Sequence, residues 1–176
     1  MKNIIKPITK ADENFLFSIR NNNKIRKEFL NSEKIFFQEH RQWFKKKIKS
    51  KSKFLFIILK NKQKIGFIGY DKKEFFYDIS IAILPKFQKS GIASLALKQS
   101  EKYLKNNIIL AKIKKNNKKS QLFFVKNGYK KISNYKLNYF FKFIDENKIK
   151  NNLSIDQIEK IRSKNNVNWM DILRIA

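Results

Sequence analysis

The stretch Gln88-Lys89-Ser90-Gly91-Ile92-Ala93 constrains this chain more than any other. It follows a β-patterned run, Tyr77 to Leu84, and a proline, and it opens a segment of helical periodicity from Gly91 to Leu104. A strand that ends in a glycine-bearing loop at a helix start makes an anion site. Unpaired backbone N–H groups point one way there, and the helix dipole adds partial positive charge. Gly91 lets the backbone come close to a phosphate, and Ala93 is too small to block it. The loop is of neither the dinucleotide nor the kinase type. No G-x-G-x-x-G follows a strand, and G-x-x-x-x-G-K-[ST] is absent.

A second block, Asn117 to Tyr129, follows the apolar run Ile108 to Ile113. Leu122, Phe123 and Val125 supply apolar faces at helical spacing, and Gly128 is placed to end the helix in a left-handed conformation. Together the blocks resemble the GNAT superfamily of N-acetyltransferases. Q-x-x-G-x-A after a strand end is similar to its pyrophosphate motif, Q/R-x-x-G-x-G/A. N-x-x-S followed by a G-Y pair is similar to its later helix. The resemblance covers most of residues 1–144. It implies an α/β (α+β) fold with a central mixed, mostly antiparallel sheet flanked by about four helices.

Composition limits the alternatives. A chain of 176 residues holds one domain with a real core. Aromatics at 14% argue against disorder despite 31% charged residues. The net charge of +27 raises nucleic acid as a partner. However, the basic residues are overwhelmingly lysine, spread over nearly every segment instead of forming one stripe. The few arginines offer little bidentate recognition, so no specific nucleic-acid partner is expected. The positive field would still draw in polyanions such as coenzyme A or a nucleotide-sugar. With no cysteine and one histidine, no metal site is expected. There is no apolar signal core, and the longest apolar run, Phe54 to Leu59, is too short to span a bilayer. We therefore expect a cytoplasmic protein without a membrane partner.

Along the chain, Asn3 to Ile8 alternates weakly and Thr9, with Asp12 three residues on, should cap a helix from about Lys10 to Arg20. A short helical piece is expected over Lys24 to Leu30. A helix over 33–49 carries Phe36, His40, Trp43, Phe44 and Ile48 on one face, with Phe37 alongside. Lys53 to Leu59 and Lys64 to Tyr70 read as strands joined by Asn61-Lys62-Gln63. Glu74 to Leu84 is the next strand, and Asn107 to Lys114 another. A helix over Asn117 to Asn127 and a strand pair, Tyr129–Ile132 and Tyr135–Ile144, close residues 1–144. The order β-α-α-β-β-β-α-β-α-β-β is that of the superfamily. Residues 145–176 read as a polar linker and an amphipathic helical tail. Ser154 and Gln157 form a capping-box pattern, and Trp169, Met170, Ile172 and Leu173 follow. The tail either packs back on the domain or docks another subunit or protein partner.

Acetyl transfer to an amine needs a deprotonated nitrogen, donors for the oxyanion and relief of the thiolate charge. The resemblance implies acetyl-CoA as co-substrate. Ile83 and Leu84 would present backbone to it, the amides of Gln88, Lys89, Ser90, Gly91, Ile92 and Ala93 would hold its pyrophosphate, and Asn117 would contact its arm. The superfamily's usual tyrosine acid falls at Phe124, which cannot donate a proton; Ser120 or Tyr129 are the nearest hydroxyls. For the base, the resemblance points to Asp78, whose other reading is a carboxylate paired with a lysine. His40 is a second candidate through its ordinary pKa, and a packing histidine on its apolar face otherwise.

The pattern H-x-x-W-F after Arg20-Asn21-Asn22 and Arg26 resembles one branch of the superfamily. That branch acetylates UDP-4-amino-4,6-dideoxy sugars on the route to pseudaminic-acid-type glycans. The likeness implies Arg20, Asn21, Arg26 and Trp43 as acceptor residues, with arginine on the diphosphate and an aromatic ring on the base. Two other readings compete. One is a ribosomal-protein-type N-terminal acetyltransferase; the other is a non-catalytic acyl-CoA-binding or scaffolding module.

Overall fold

The computed structural model describes residues 3–50, 54–74, 76–104, 107–133 and 137–144. The linker and tail expected over 145–176 lie outside them. The strands β1 (Ile5–Pro7), β2 (Leu55–Lys60), β3 (Gln63–Lys72), β4 (Phe76–Ile83), β5 (Asn107–Lys114), β6 (Lys130–Ser133) and β7 (Leu137–Ile144) run in the order β1-β2-β3-β4-β5-β7-β6, mostly antiparallel. The chain divides into two compact units, and the boundary falls within strand β4 (Phe76–Ile83) between Asp78 and Ile79.

The first unit holds β1 (Ile5–Pro7), β2 (Leu55–Lys60), β3 (Gln63–Lys72) and the second half of β4. Its helices are α1 (Glu13–Asn21), α2 (Asn23–Arg26), α3 (Phe37–Lys49) and α4 (Ile92–Glu101). β2 is apolar on both faces because both are covered. Leu55 and Ile57 pack with Leu16 and Ile19 of α1, Ile25 of α2 and Phe44 of α3. Phe56, one residue out of phase, meets the ring of Tyr103 just beyond α4 at 5.0 Å. Truncating a core leucine such as Leu16 to alanine would cost about 2–5 kcal/mol. The β2–β3 hairpin turns on Asn61 and Lys62, both at positive φ (48° and 65°), the twist a two-residue hairpin loop needs.

Helix starts differ from the sequence expectation for local reasons. Lys10–Asp12 forms one 3-10 turn, so α1 proper begins at Glu13. Asp12 is fully buried, and its Oδ2 accepts from Thr9 N and Oγ1, both at 2.9 Å. Burial alone would raise its pKa. Ion pairs to Lys6 at 2.7 Å and Lys64 at 2.6 Å, with the Thr9 bonds, outweigh it and hold the carboxyl well below its ordinary value. The helix expected from residue 33 begins only at Phe37. Phe36 stays extended, its N–H held by Glu39 Oε2 at 3.1 Å, and its side chain is 76% exposed instead of lying on the buried face. His40 and Phe44 are the buried residues of α3.

The second unit holds the first half of β4, β5 (Asn107–Lys114), β6 (Lys130–Ser133), β7 (Leu137–Ile144) and α5 (Lys118–Lys126). β4 pairs with β5 in parallel, Tyr77 opposite Ile109, while β5 and β7 pair antiparallel, Ala111 opposite Phe140. Its core gathers Phe76, Ile108, Leu110 and Phe141. Asn117 caps α5, its Oδ1 accepting from Ser120 N at 3.0 Å, and Gly128 ends the helix turn at φ 81°. The expected apolar face is corrected: Leu122 and Val125 are exposed, and Gln121 and Phe124 face inward. Gln121 Nε2 donates to the carbonyls of Lys114 and Lys115, and that tether fixes the helix rotation.

Candidate active site

The loop after β4 is built to expose backbone. Pro85–Phe87 makes a single 3-10 turn, Lys89 takes φ 62° and Gly91 φ 74°, and α4 begins at the next residue. Two left-handed residues so close together turn successive amides toward one side, an anion-binding concavity. Leu95 N–H bonds back to Gly91 O at 3.2 Å. The amides of Ile92 and Ala93 therefore lie in the helix's unsatisfied first turn. Nothing lies within 4 Å of where a Cβ on Gly91 would stand. Lys89, Ser90 and Gly91 are exposed. The loop is braced internally: Ser90 Oγ donates to Phe87 O at 2.8 Å, and Gln88 Nε2 to Ile83 O at 2.9 Å. This shape and chemistry fit a coenzyme pyrophosphate.

A cavity of about 380 Å³ lies within the first unit. Phe29, Phe54, Phe67, Tyr70 and Trp43 give it aromatic walls, and Leu16, Ile35 and Leu55 apolar ones. Its charged side chains are mostly engaged. Lys47 is paired with Asp71, and Glu39 accepts from Phe36 N. Arg20 is the exception. Its Nη2 donates to Asn31 O at 2.7 Å and its guanidinium lies 4.7 Å over the Phe29 ring, but Nη1 is buried with no acceptor. Burial, with the charge of Arg26 nearby, lowers the Arg20 pKa.

His40 also lines this cavity while being only 3% exposed. It lies near-parallel to Phe44, with ring centroids 6.0 Å apart, and touches Phe17 and Trp43. Its Nε2 lies 3.1 Å from Glu13 O, and a carbonyl only accepts, so Nε2 carries the proton and Nδ1 the lone pair. Burial pushes its pKa below 6.5, partly offset by the Glu13 carbonyl and carboxylate.

The other residues singled out from sequence have defined partners. Asn21 and Arg26 bond to the backbone of the segment between α2 and α3 and do not line the cavity. Trp43 does line it, 40% exposed. Asp78 belongs to the second unit, where Lys112 Nζ donates to its Oδ2 at 3.0 Å and Oδ1 is buried without a hydrogen bond. Asn117 serves α5 as its cap. Phe124 is packed among Phe123, Tyr129 and Phe140. Sequence reasoning missed Tyr70, whose hydroxyl lies 2.7 Å from Ser100 Oγ. Ser100 Oγ donates to Leu97 O, so the tyrosine is the donor in that pair, and burial raises its pKa. Its only sequence signal was the final aromatic of an apolar strand. Among the described residues no group of three or more His, Cys, Asp or Glu could hold a metal.

A strand that runs into a backbone-rich loop at a helix start is the arrangement a coenzyme-A-dependent acyltransferase uses for its coenzyme. Residues 3–130 match the family model described as the acetyltransferase (GNAT) domain, and the chain belongs to that family. It is accordingly an acetyltransferase that uses acetyl-CoA. No curated protein matches it. Its fold is shared by solved structures of low identity. A ribosomal-protein-alanine N-acetyltransferase from Brucella melitensis is 17% identical, with TM-score 0.64 over 81% of this chain and 100% of its own. Spermidine N-acetyltransferase from Vibrio cholerae, solved with CoA and spermine, is 18% identical, with TM-score 0.66 over 79% and 94%. The acetyltransferase yncA from Salmonella typhimurium, solved with acetyl-CoA, is 16% identical, with TM-score 0.65 over 82% and 95%. No helix among the described residues is long and apolar enough to cross a membrane.

Proposed function

We propose that this enzyme moves the acetyl group of acetyl-CoA to the amino group of a nucleotide-activated amino sugar, of the UDP-4-amino-4,6-dideoxy type, in the cytoplasm. The observation that carries the reading is Arg20: a buried, unanswered guanidinium nitrogen in the wall of an aromatic cavity. A buried unsatisfied charged donor is costly, and an acceptor's phosphate would satisfy it. The aromatic walls suit a base or a sugar face. A polyamine is disfavoured, because the cavity's lining holds as many cations (Arg20, Lys47) as carboxylates (Glu39, Asp71) and so offers a polycation no net negative charge.

In this reading His40 is the base. Its depressed pKa keeps it neutral at pH 7, and Nδ1 takes the proton as the amine nitrogen bonds to the thioester carbon. The C–S bond then breaks and the thiolate takes up a proton. The loop over Gln88 to Ala93 holds the pyrophosphate through backbone amides.

The test is coenzyme A release from acetyl-CoA with a UDP-4-amino-4,6-dideoxy sugar, simple amino sugars, spermidine and N-terminal peptides, at moderate salt. Turnover confined to the nucleotide-sugar, and lost with Arg20→Ala, is the expected result. Turnover of peptides or spermidine instead would overturn the acceptor assignment, and tight acetyl-CoA binding with no turnover would overturn catalysis.

A further inference from the structure

We propose that Asn21 and Arg26 are positioning residues that decide which acceptors the cavity admits, by fixing segment 27–36 as one of its walls. The inference rests on reading the cavity as the acceptor site. Segment 27–36 joins α2 to α3 with neither helix nor strand, and it contains no glycine or proline. It nevertheless supplies two wall residues, Phe29 and Ile35.

A segment without regular structure must find partners for its backbone elsewhere. Here side chains of α1 and α2 provide them. Asn21 bridges Ile35 in both directions: Nδ2 donates to Ile35 O and Ile35 N donates to Oδ1, each at 3.0 Å. Arg26 Nη1 donates to Ser32 O at 2.7 Å, and its Nε, bonded to Asn23 Oδ1 at 3.2 Å, sets the plane of the guanidinium. Arg20 adds the bond to Asn31 O, and stacks on Phe29. Asn21 and Arg26 therefore reach the cavity only through the backbone they hold. The amide of Asn21 acts as a fragment of a partner strand, fastening the residue whose side chain closes the wall. Loosening the wall would leave the chemistry in place and blur the choice of acceptor.

The test compares wild type, Asn21→Ala and Asn21→Asp, the last keeping the oxygen that accepts from Ile35 N while losing the donor. The acceptors are the best and second-best amines of the panel, whichever these prove to be, so a wrong acceptor class and a wrong role for Asn21 give different results. Asn21→Ala should raise KM for the best amine roughly tenfold, the worth of about one to two net hydrogen bonds, and leave KM for acetyl-CoA unchanged. The preference in kcat/KM between the two amines should shrink by a similar factor, with Asn21→Asp intermediate. Hydrogen exchange in peptides spanning 29–36 should quicken while that of β2 does not. Faster exchange with unchanged acceptor preference would overturn the proposal, and so would unchanged exchange. Should Asn21→Ala fail to fold, Arg26→Gln carries the same pair of readouts.

Discussion

Gln88 Nε2 donates to the main-chain carbonyl of Ile83 at 2.9 Å, tying the first residue of the proposed coenzyme loop to the end of the strand that feeds it. The glutamine thus acts on the loop's shape as well as offering its own amide. Without the tether, the left-handed turns at Lys89 and Gly91 lose a fixed origin, and amides that converge on one anion spread out. We expect Gln88→Ala to raise KM for acetyl-CoA by up to roughly tenfold, the range of one net hydrogen bond, with the acceptor KM unchanged. Steady-state kinetics with each substrate varied in turn checks this; a rise confined to the acceptor would contradict it.

His40 makes a signed pH prediction. Burial lowers its folded pKa below 6.5, so between that lower value and 6.5 the unfolded chain binds more protons than the folded one. Its contribution to stability is present above pH 6.5 and is lost as the pH falls from there toward the folded value. As the proposed base, His40 must be neutral, so kcat/KM should climb through a pKa below 6.5 and be flat at neutral pH. In His40→Gln the acid limb of the denaturation profile attributable to this residue should vanish, and kcat should fall by about 10²–10⁴-fold. A His40→Gln enzyme with full activity would return the residue to a packing role.

Much of this site was legible in the sequence wherever one residue type has a single physical use. Gly128 was read as a left-handed position because glycine adopts that conformation without strain, and its φ is positive; Gly91, read only as letting backbone come close to a phosphate, is left-handed too. The packing alternative for His40, on an apolar helix face, anticipated its burial. The alternative reading of Asp78 as a carboxylate paired with a lysine anticipated Lys112. What sequence did not show were bonds from side chains to a backbone whose path has no period. Arg20 finds Asn31 O and Asn21 finds Ile35 only because the segment doubles back on α1. The spacing of α5 also misled, since Leu122, Phe123 and Val125 do not share one face and a glutamine tether set the rotation. Tyr70 and Ser100, 30 residues apart, belong to different elements, and no local pattern links them.

Phe124 stands where a tyrosine acid is usual in the resemblance, and its surroundings say what restoring that tyrosine would do. The ring is 4% exposed and meets Tyr129 edge-on at 4.9 Å, Phe123 at 5.0 Å and Phe140 at 6.1 Å. A hydroxyl added there enters an aromatic cluster and must either find an acceptor or remain unsatisfied, at a cost of about 1–3 kcal/mol. We expect Phe124→Tyr to lower the midpoint of urea unfolding without raising kcat. Phe124→Leu should lower stability too, through lost ring packing, while leaving kcat within roughly threefold, because positioning alone supplies much of the rate without an acid at this position. Urea titrations and initial rates on the same preparations decide the matter. A Phe124→Tyr enzyme with kcat raised tenfold or more would show instead that the position still faces the departing thiolate and that the native phenylalanine limits catalysis.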